Sequence, residues 1–201
     1  MVWAASTVVT ITAAESGGGI GNAGSGSAIT VTNSSLVQAN AANAGGGINN
    51  HSGGVVTLSA SSIFSNTANT NGGGIHNSGG AITLANGSLV QQNRATNSGG
   101  GIWNEASGSI TLHASSVTSN TASSGGGIHS SGAGNIVSLI GGSHVAHNIA
   151  TGDGGGIFNI GQSAVTIDDS SVVSNTSGAD GGGVVNWQSS VLTVTNGSRI
   201  E

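Results

Sequence analysis

The stretch Gly99-Gly100-Gly101-Ile102-Trp103-Asn104-Glu105-Ala106-Ser107-Gly108-Ser109-Ile110-Thr111-Leu112-His113-Ala114-Ser115-Ser116-Val117-Thr118-Ser119-Asn120 decides the fold. Its apolar residues fall in three short groups: Ile102 after the glycine triplet, Ile110 and Leu112 on either side of Thr111, and Val117 three residues before Asn120. Each group is short, alternating or β-branched, and bounded by Gly, Asn or Ser. That is strand punctuation and not a helical stripe.

The same order returns along the whole chain. The aliphatic residue that closes the glycine triplet is Ile20, Ile48, Ile75, Ile102, Ile128, Ile157 and Val184, at spacings of 28, 27, 27, 26, 29 and 27 residues. The alternating pair recurs as Ile29/Val31, Val56/Leu58, Ile82/Leu84, Ile110/Leu112, Val137/Leu139, Val165/Ile167 and Leu192/Val194. The aliphatic residue three before an asparagine recurs as Val37/Asn40, Ile63/Asn66, Val90/Asn93, Val117/Asn120, Val145/Asn148 and Val172/Asn175. A fixed period in the twenties marks a stacked solenoid, in which neighbouring repeats bury a face that none can bury alone. Equivalent residues recur at equivalent positions, so the strands pair in parallel, one repeat onto the next. The sequence therefore predicts an all-β, right-handed parallel β-helix. It has three short strands per coil and about seven coils of about 27 residues, a rod roughly 34 Å long at ~4.8 Å per coil.

Glycine suits the tight corners, and proline, which would remove a ladder donor, is absent. Asn22, Asn50, Asn77, Asn104, Asn159 and Asn186 stand two residues after the closing aliphatic residue and point inward by strand alternation, with Ser130 interrupting the column. Both this column and Asn40 to Asn175 read as structural ladders of stacked amides. Residues 1–201 form a single solenoid domain. Thr7-Val8-Val9-Thr10-Ile11-Thr12-Ala13-Ala14 matches the third strand of a coil, with Thr12 at the asparagine position, and Ser198-Arg199-Ile200-Glu201 enters that strand again. The repeat thus starts and stops mid-coil with no recognisable cap, and the expectation is either a piece of a larger surface protein or a subunit of a filament of copies stacked end to end.

Composition narrows the function classes. Charged residues make up 4% of the 201 residues, with two arginines and no lysine against seven acids, a formal charge of -5. No basic surface is available for a phosphate backbone, so nucleic acid is not an expected partner. Cysteine is absent, which excludes disulfides and thiolate metal sites. No apolar run approaches the ~18 residues of a membrane span.

The Gly-Gly-Gly-Ile corners and the aliphatic-x-x-Asn motif, as in Ile63-Phe64-Ser65-Asn66 and Val117-Thr118-Ser119-Asn120, resemble the GGAI and FxxN signatures of chlamydial-type polymorphic outer-membrane proteins and related bacterial β-helix repeats. The resemblance covers almost the whole chain. It implies a right-handed β-helix at the bacterial cell surface or secreted, with frequent roles in adhesion, its export signal supplied by sequence outside this chain.

Three outward features are candidate sites. His76, Trp103, His129 and Phe158 occupy one outward position on successive coils, with Trp187 near the end, an aromatic and imidazole strip suited to sugar rings or to a partner protein. Asp153 and Asp180 each lie four residues before the closing aliphatic residue and stack about 5 Å apart, a pair able to hold an adventitious calcium ion. No dedicated cofactor is expected. Thr30, Thr57, Thr83, Thr111, Ser138, Thr166 and Thr193 form an outward hydroxyl column resembling the surfaces of ice-binding β-helices. The parallel rank two residues on, Thr32, Ser59, Ala85, His113, Ile140, Asp168 and Thr195, has bulky and charged interruptions that would spoil the flat double array such a surface needs. His144 and His147 point to opposite faces of an extended strand and share no metal. No coil gathers the acids and bases of a polysaccharide-cleaving groove, so no enzyme is expected. The leading expectation is a structural or adhesive rod whose partner is itself, a host or cell-surface protein, or a glycan. The alternative is a carbohydrate-binding module using the aromatic strip.

Overall fold

A computed structural model describes residues 7–9 and 12–201 of the chain. The described residues form parallel strands stacked into a β-solenoid, with no helix among them and hence none long and apolar enough to cross a membrane. One coil runs Ile75–Ser78, Ala81–Ala85, Leu89–Gln91 and Arg94–Ala95 before the next begins at Ile102. These four strands belong to four sheets: sheet 1 and sheet 2 of seven strands, sheet 3 of eight and sheet 4 of six. The coil therefore has a fourth strand beyond the three read from the sequence. Ala41–Ala42, Thr67–Ala68, Arg94–Ala95, Thr121–Ala122, Ile149–Ala150 and Thr176–Ser177 are two residues each, too short to show any alternation.

Register follows the repeat. Ile75 pairs with Ile48 and Ile102, Thr83 with Thr57 and Thr111, and Val90 with Ile63 and Val117. Each central coil sends four aliphatic side chains inward. In the coil of Ile102, Ile110, Leu112 and Val117, every one is 0% exposed. Stacked coil on coil they form one continuous core. At the N-terminal end the register corrects one expectation. Thr12 bridges to Ala41 and not to Asn40, so it does not take the asparagine position; residues 10 and 11 of that segment lie outside the described residues.

Between sheets 3 and 4 the chain bends at Ala39, Ser65, Gln92, Ser119, His147 and Ser174, all with φ of 52–57°. Left-handed backbone is costly without glycine, and the asparagine that follows each bend supplies the compensation. Asn93 Oδ1 accepts from the backbone N–H of Asn66 at 2.9 Å and from its Nδ2 at 3.0 Å. Asn93 Nδ2 donates in turn to Asn120 Oδ1 at 3.0 Å and to Ile63 O at 3.1 Å. The buried amide is thus used on both sides. The second ladder runs the same way, with Asn50 Nδ2 on Asn77 Oδ1 at 2.7 Å and Asn77 Nδ2 on Asn104 Oδ1 at 2.8 Å.

The glycine triplet lets the chain double back. Its middle glycine returns directly against the backbone of sheet 4: a Cβ on Gly100 would lie 2.4 Å from Gly126 O and 2.5 Å from Thr121 O. No side chain fits there. Outside the main core, Ala68, Ala95 and Ala122 on sheet 4 form a small buried cluster of their own.

Candidate functional site

Sheet 1 places Asn49, His76, Trp103, His129, Phe158 and Val185 on one outward column, each directly opposite the next. The predicted strip exists. Trp103 and His129 meet at a tilt of 44° with centroids 4.4 Å apart, His129 and Phe158 meet edge to face at 4.7 Å, and Phe158 meets Trp187 edge to face at 5.3 Å. Such pairs add roughly 0.5–1.5 kcal/mol each beyond their burial. Trp187 comes from the neighbouring outward column, opposite Ile160, and folds its ring onto Phe158.

The strip is not the open platform that alternation suggests. His129 is 5% exposed and Phe158 6%, whereas Trp187 is 41% exposed. The cover is the first glycine of each triplet, which curls over the column in left-handed conformation. A Cβ on Gly125 would lie 2.7 Å from His129 Cβ, and one on Gly154 would lie 2.8 Å from Phe158 Cβ. The middle of the strip is therefore packed under backbone, and its ring faces are spent on one another. Only the Trp187 end and the half-buried His76 and Trp103 reach solvent.

Burial sets the chemistry of the column. Removal from water pushes the His129 imidazole down to about 4, against a smaller opposing effect from the Ser124 backbone. His76 Nε2 bonds Glu105 Oε1 at 2.9 Å, and this hydrogen bond, more than any other influence, holds the Glu105 carboxyl below its ordinary value. Trp103 helps hold that carboxyl down without reaching hydrogen-bond geometry. Asn49 Oδ1, His76 Nδ1, Trp103 Nε1 and His129 Nδ1 are buried without a hydrogen-bond partner, and these four atoms lie on four successive coils of the one column.

Asp153 and Asp180 are brought together as expected, one coil apart. Their contact is between side chain and backbone: Asp180 N–H donates to Asp153 Oδ1 at 3.0 Å. One carboxylate thus caps the next coil's corner. Among the described residues no group of three His, Asp or Glu side chains gathers in a way that would hold a metal ion. His144 Nδ1 bonds Ser171 Oγ at 2.7 Å on sheet 3, and His147 sits in one of the left-handed bends. The asparagines of the first ladder, Asn22, Asn50, Asn77, Asn104 and Asn159, are buried, while Asn186 at the C-terminal end is exposed.

The comparisons add no relative: no protein-family model, no curated protein and no solved structure matches the chain. The fold itself defines the class, a parallel β-solenoid of tandem repeats.

Proposed function

We propose that the chain is a structural rod of a bacterial surface or secreted protein, whose work is to hold an extended face outward for adhesion to a host or cell-surface partner. One observation carries this reading. The core, both asparagine ladders and the glycine corners run from coil to coil in register, with one substitution in one ladder, so the sequence is spent on continuity along the axis. Outside the aromatic column, polar groups that vary between coils include Asp153, held by the Asp180 amide, and His144, held by Ser171. The fold says where side chains stand and not what they bind, so the adhesive part rests on the resemblance of the glycine corner and asparagine motifs.

Beads coated with the chain and driven by flow over surfaces bearing proteins or glycans test it. Retention on at least one surface class, unchanged by Asp153→Asn with Asp180→Asn, is the expected result. Beads that detach from every surface as readily as albumin-coated beads would remove the adhesive role.

A further inference from the structure

Sheet 2 turns two complete ranks of side chains to the outside. The central rank is Thr30, Thr57, Thr83, Thr111, Ser138, Thr166 and Thr193, in register through all seven strands. Beside it, two residues nearer the start of each strand, stand Ala28, Val55, Ala81, Ser109, Ile136, Ala164 and Val191. Every residue of the first rank carries a hydroxyl, and every residue of the second but Ser109 is aliphatic. Neither rank holds a charge. Val55, Ile136 and Val191 are 41%, 51% and 56% exposed, apolar surface that the described residues leave open. The charge of this sheet lies on the far side of the threonines, at Asp168, in the same rank as His113 and Ile140.

The size and chemistry of this face narrow its occupant. Six strand spacings of ~4.8 Å by two side-chain ranks give a plane of roughly 400 Å². That is about half of what each partner of a standard protein interface contributes. It has no ring on which a sugar would stack and no charge for a phosphate or an acidic surface. What it offers is regularity. Threonine hydroxyls both donate and accept, so each rank position can fix one water, and the neighbouring methyl and aliphatic groups restrict how the next waters orient. Parallel sheet backbone sets the spacing rigidly, so little ordering is left to be done on binding. The ~4.8 Å strand spacing lies close to the oxygen repeat along the a axis of hexagonal ice.

We infer that the two-rank outer face of sheet 2 binds ice, with the threonine hydroxyls seated in the lattice and the aliphatic rank ordering the water beside them. Nanolitre osmometry and ice-recrystallisation assays on the whole chain test this. A gap between melting and freezing temperatures, with faceted crystals, is expected. Thr111→Tyr and, independently, Ala81→Tyr should abolish most of the gap while circular dichroism and thermal melting stay those of the parent. Gln91→Tyr, on the outer side of sheet 3, should leave it intact. Crystals that grow freely in the parent chain overturn the inference, as does full activity in a folded Thr111→Tyr variant. A dimer in sedimentation that Thr111→Tyr dissolves would give the face to a second copy and overturn it equally.

Discussion

Ser130 and Asn135 divide between them the space that an asparagine and a glycine fill in the preceding coils. Where Asn104 is followed by Gly108, a Cβ on that glycine would lie 2.4 Å from Asn104 Oδ1 and 2.6 Å from Asn77 Nδ2. Ser130 is smaller, and Asn135 at the equivalent turn brings the missing amide back from the other side. Its Oδ1 accepts from Gly108 N–H at 2.9 Å and its Nδ2 donates to Ser131 O at 2.7 Å. The next coil has Asn159 with Ser163, whose hydroxyl bonds Asn159 Oδ1 and Ser130 Oγ, the latter at 2.9 Å.

This exchange predicts a rescue. Ser130→Asn alone should destabilise by about 1–3 kcal/mol through overpacking, and Asn135→Gly by about 1–3 kcal/mol through the two hydrogen bonds lost to Gly108 N–H, which keeps its bond to Glu105 O, and to Ser131 O. The double variant restores the pattern of the other coils and should recover most of the loss, a coupling within the ~0.5–3 kcal/mol seen for residues in contact. Urea titration of the four proteins reads it directly. Additive losses would show that the two residues do not share one space.

The corner and turn glycines are required for different reasons, and alanine separates them. Gly87 has φ of +76° and nothing within 4 Å of an added Cβ, so Gly87→Ala should cost only the left-handed strain, about 1–2 kcal/mol. Gly100 has no left-handed φ but faces two carbonyl oxygens closer than any Cβ tolerates. Gly100→Ala should cost distinctly more, or prevent folding. Equal melting temperatures for the two variants would mean that the corner has room to open.

Inside and outside are distinguished by Ile102 and Thr83. Ile102→Ala removes a fully buried side chain from the core column and should cost about 2–5 kcal/mol. Thr83→Ala, on the outward hydroxyl rank, should stay within about 0.5 kcal/mol. A denaturant midpoint for Thr83→Ala as low as that of Ile102→Ala would reverse the assignment of faces.

His129 makes stability depend on acid. Its folded value of about 4 lies below its ordinary 6.5, so between those values the unfolded chain holds more protons than the folded one. The contribution is fully present above about pH 6.5 and is lost as pH falls toward 4, a loss approaching 3 kcal/mol at ~1.4 kcal/mol per pH unit. Glu105, also depressed, loses its contribution at more acid pH, below its ordinary 4.5. His129→Phe, which keeps a ring between Trp103 and Phe158, should flatten the stability profile between pH 6.5 and 4. A variant with the parent's slope in that window would place the titration elsewhere.

The columns that repeat with one residue per coil were legible in the sequence because periodicity identifies them: the aliphatic core, both asparagine ladders, the threonine rank and the His76 to Phe158 strip. The features that escaped are those without a pattern of their own. The fourth strand is only two residues, such as Thr121–Ala122, too brief to alternate. Alternation correctly sent His129 outward, but it carries no information about Gly125 folding back over it. The break at Ser130 was visible, and its remedy at Asn135 was not, because the two residues belong to different strands' ends. The aliphatic rank from Ala28 to Val191 is visible only once the neighbours of the threonines on both sides are counted.

The left-handed bends before Asn40, Asn66, Asn93, Asn120, Asn148 and Asn175 have a consequence beyond shape. They hold every amide of that column in one sense, Nδ2 toward the C-terminal coils and Oδ1 toward the N-terminal ones, from Asn40 on Asn66 through to Asn148 on Asn175. The column from Asn22 to Asn104 points the same way. Aligned amide dipoles add head to tail, as peptide units do along a helix, and each bond polarises the next. Each ladder is thus an electrical vector as well as a tether, partially negative at its first amide and partially positive at its last, and its positive end lies toward the coils where Asp153, Asp168, Asp169, Asp180 and Glu201 gather.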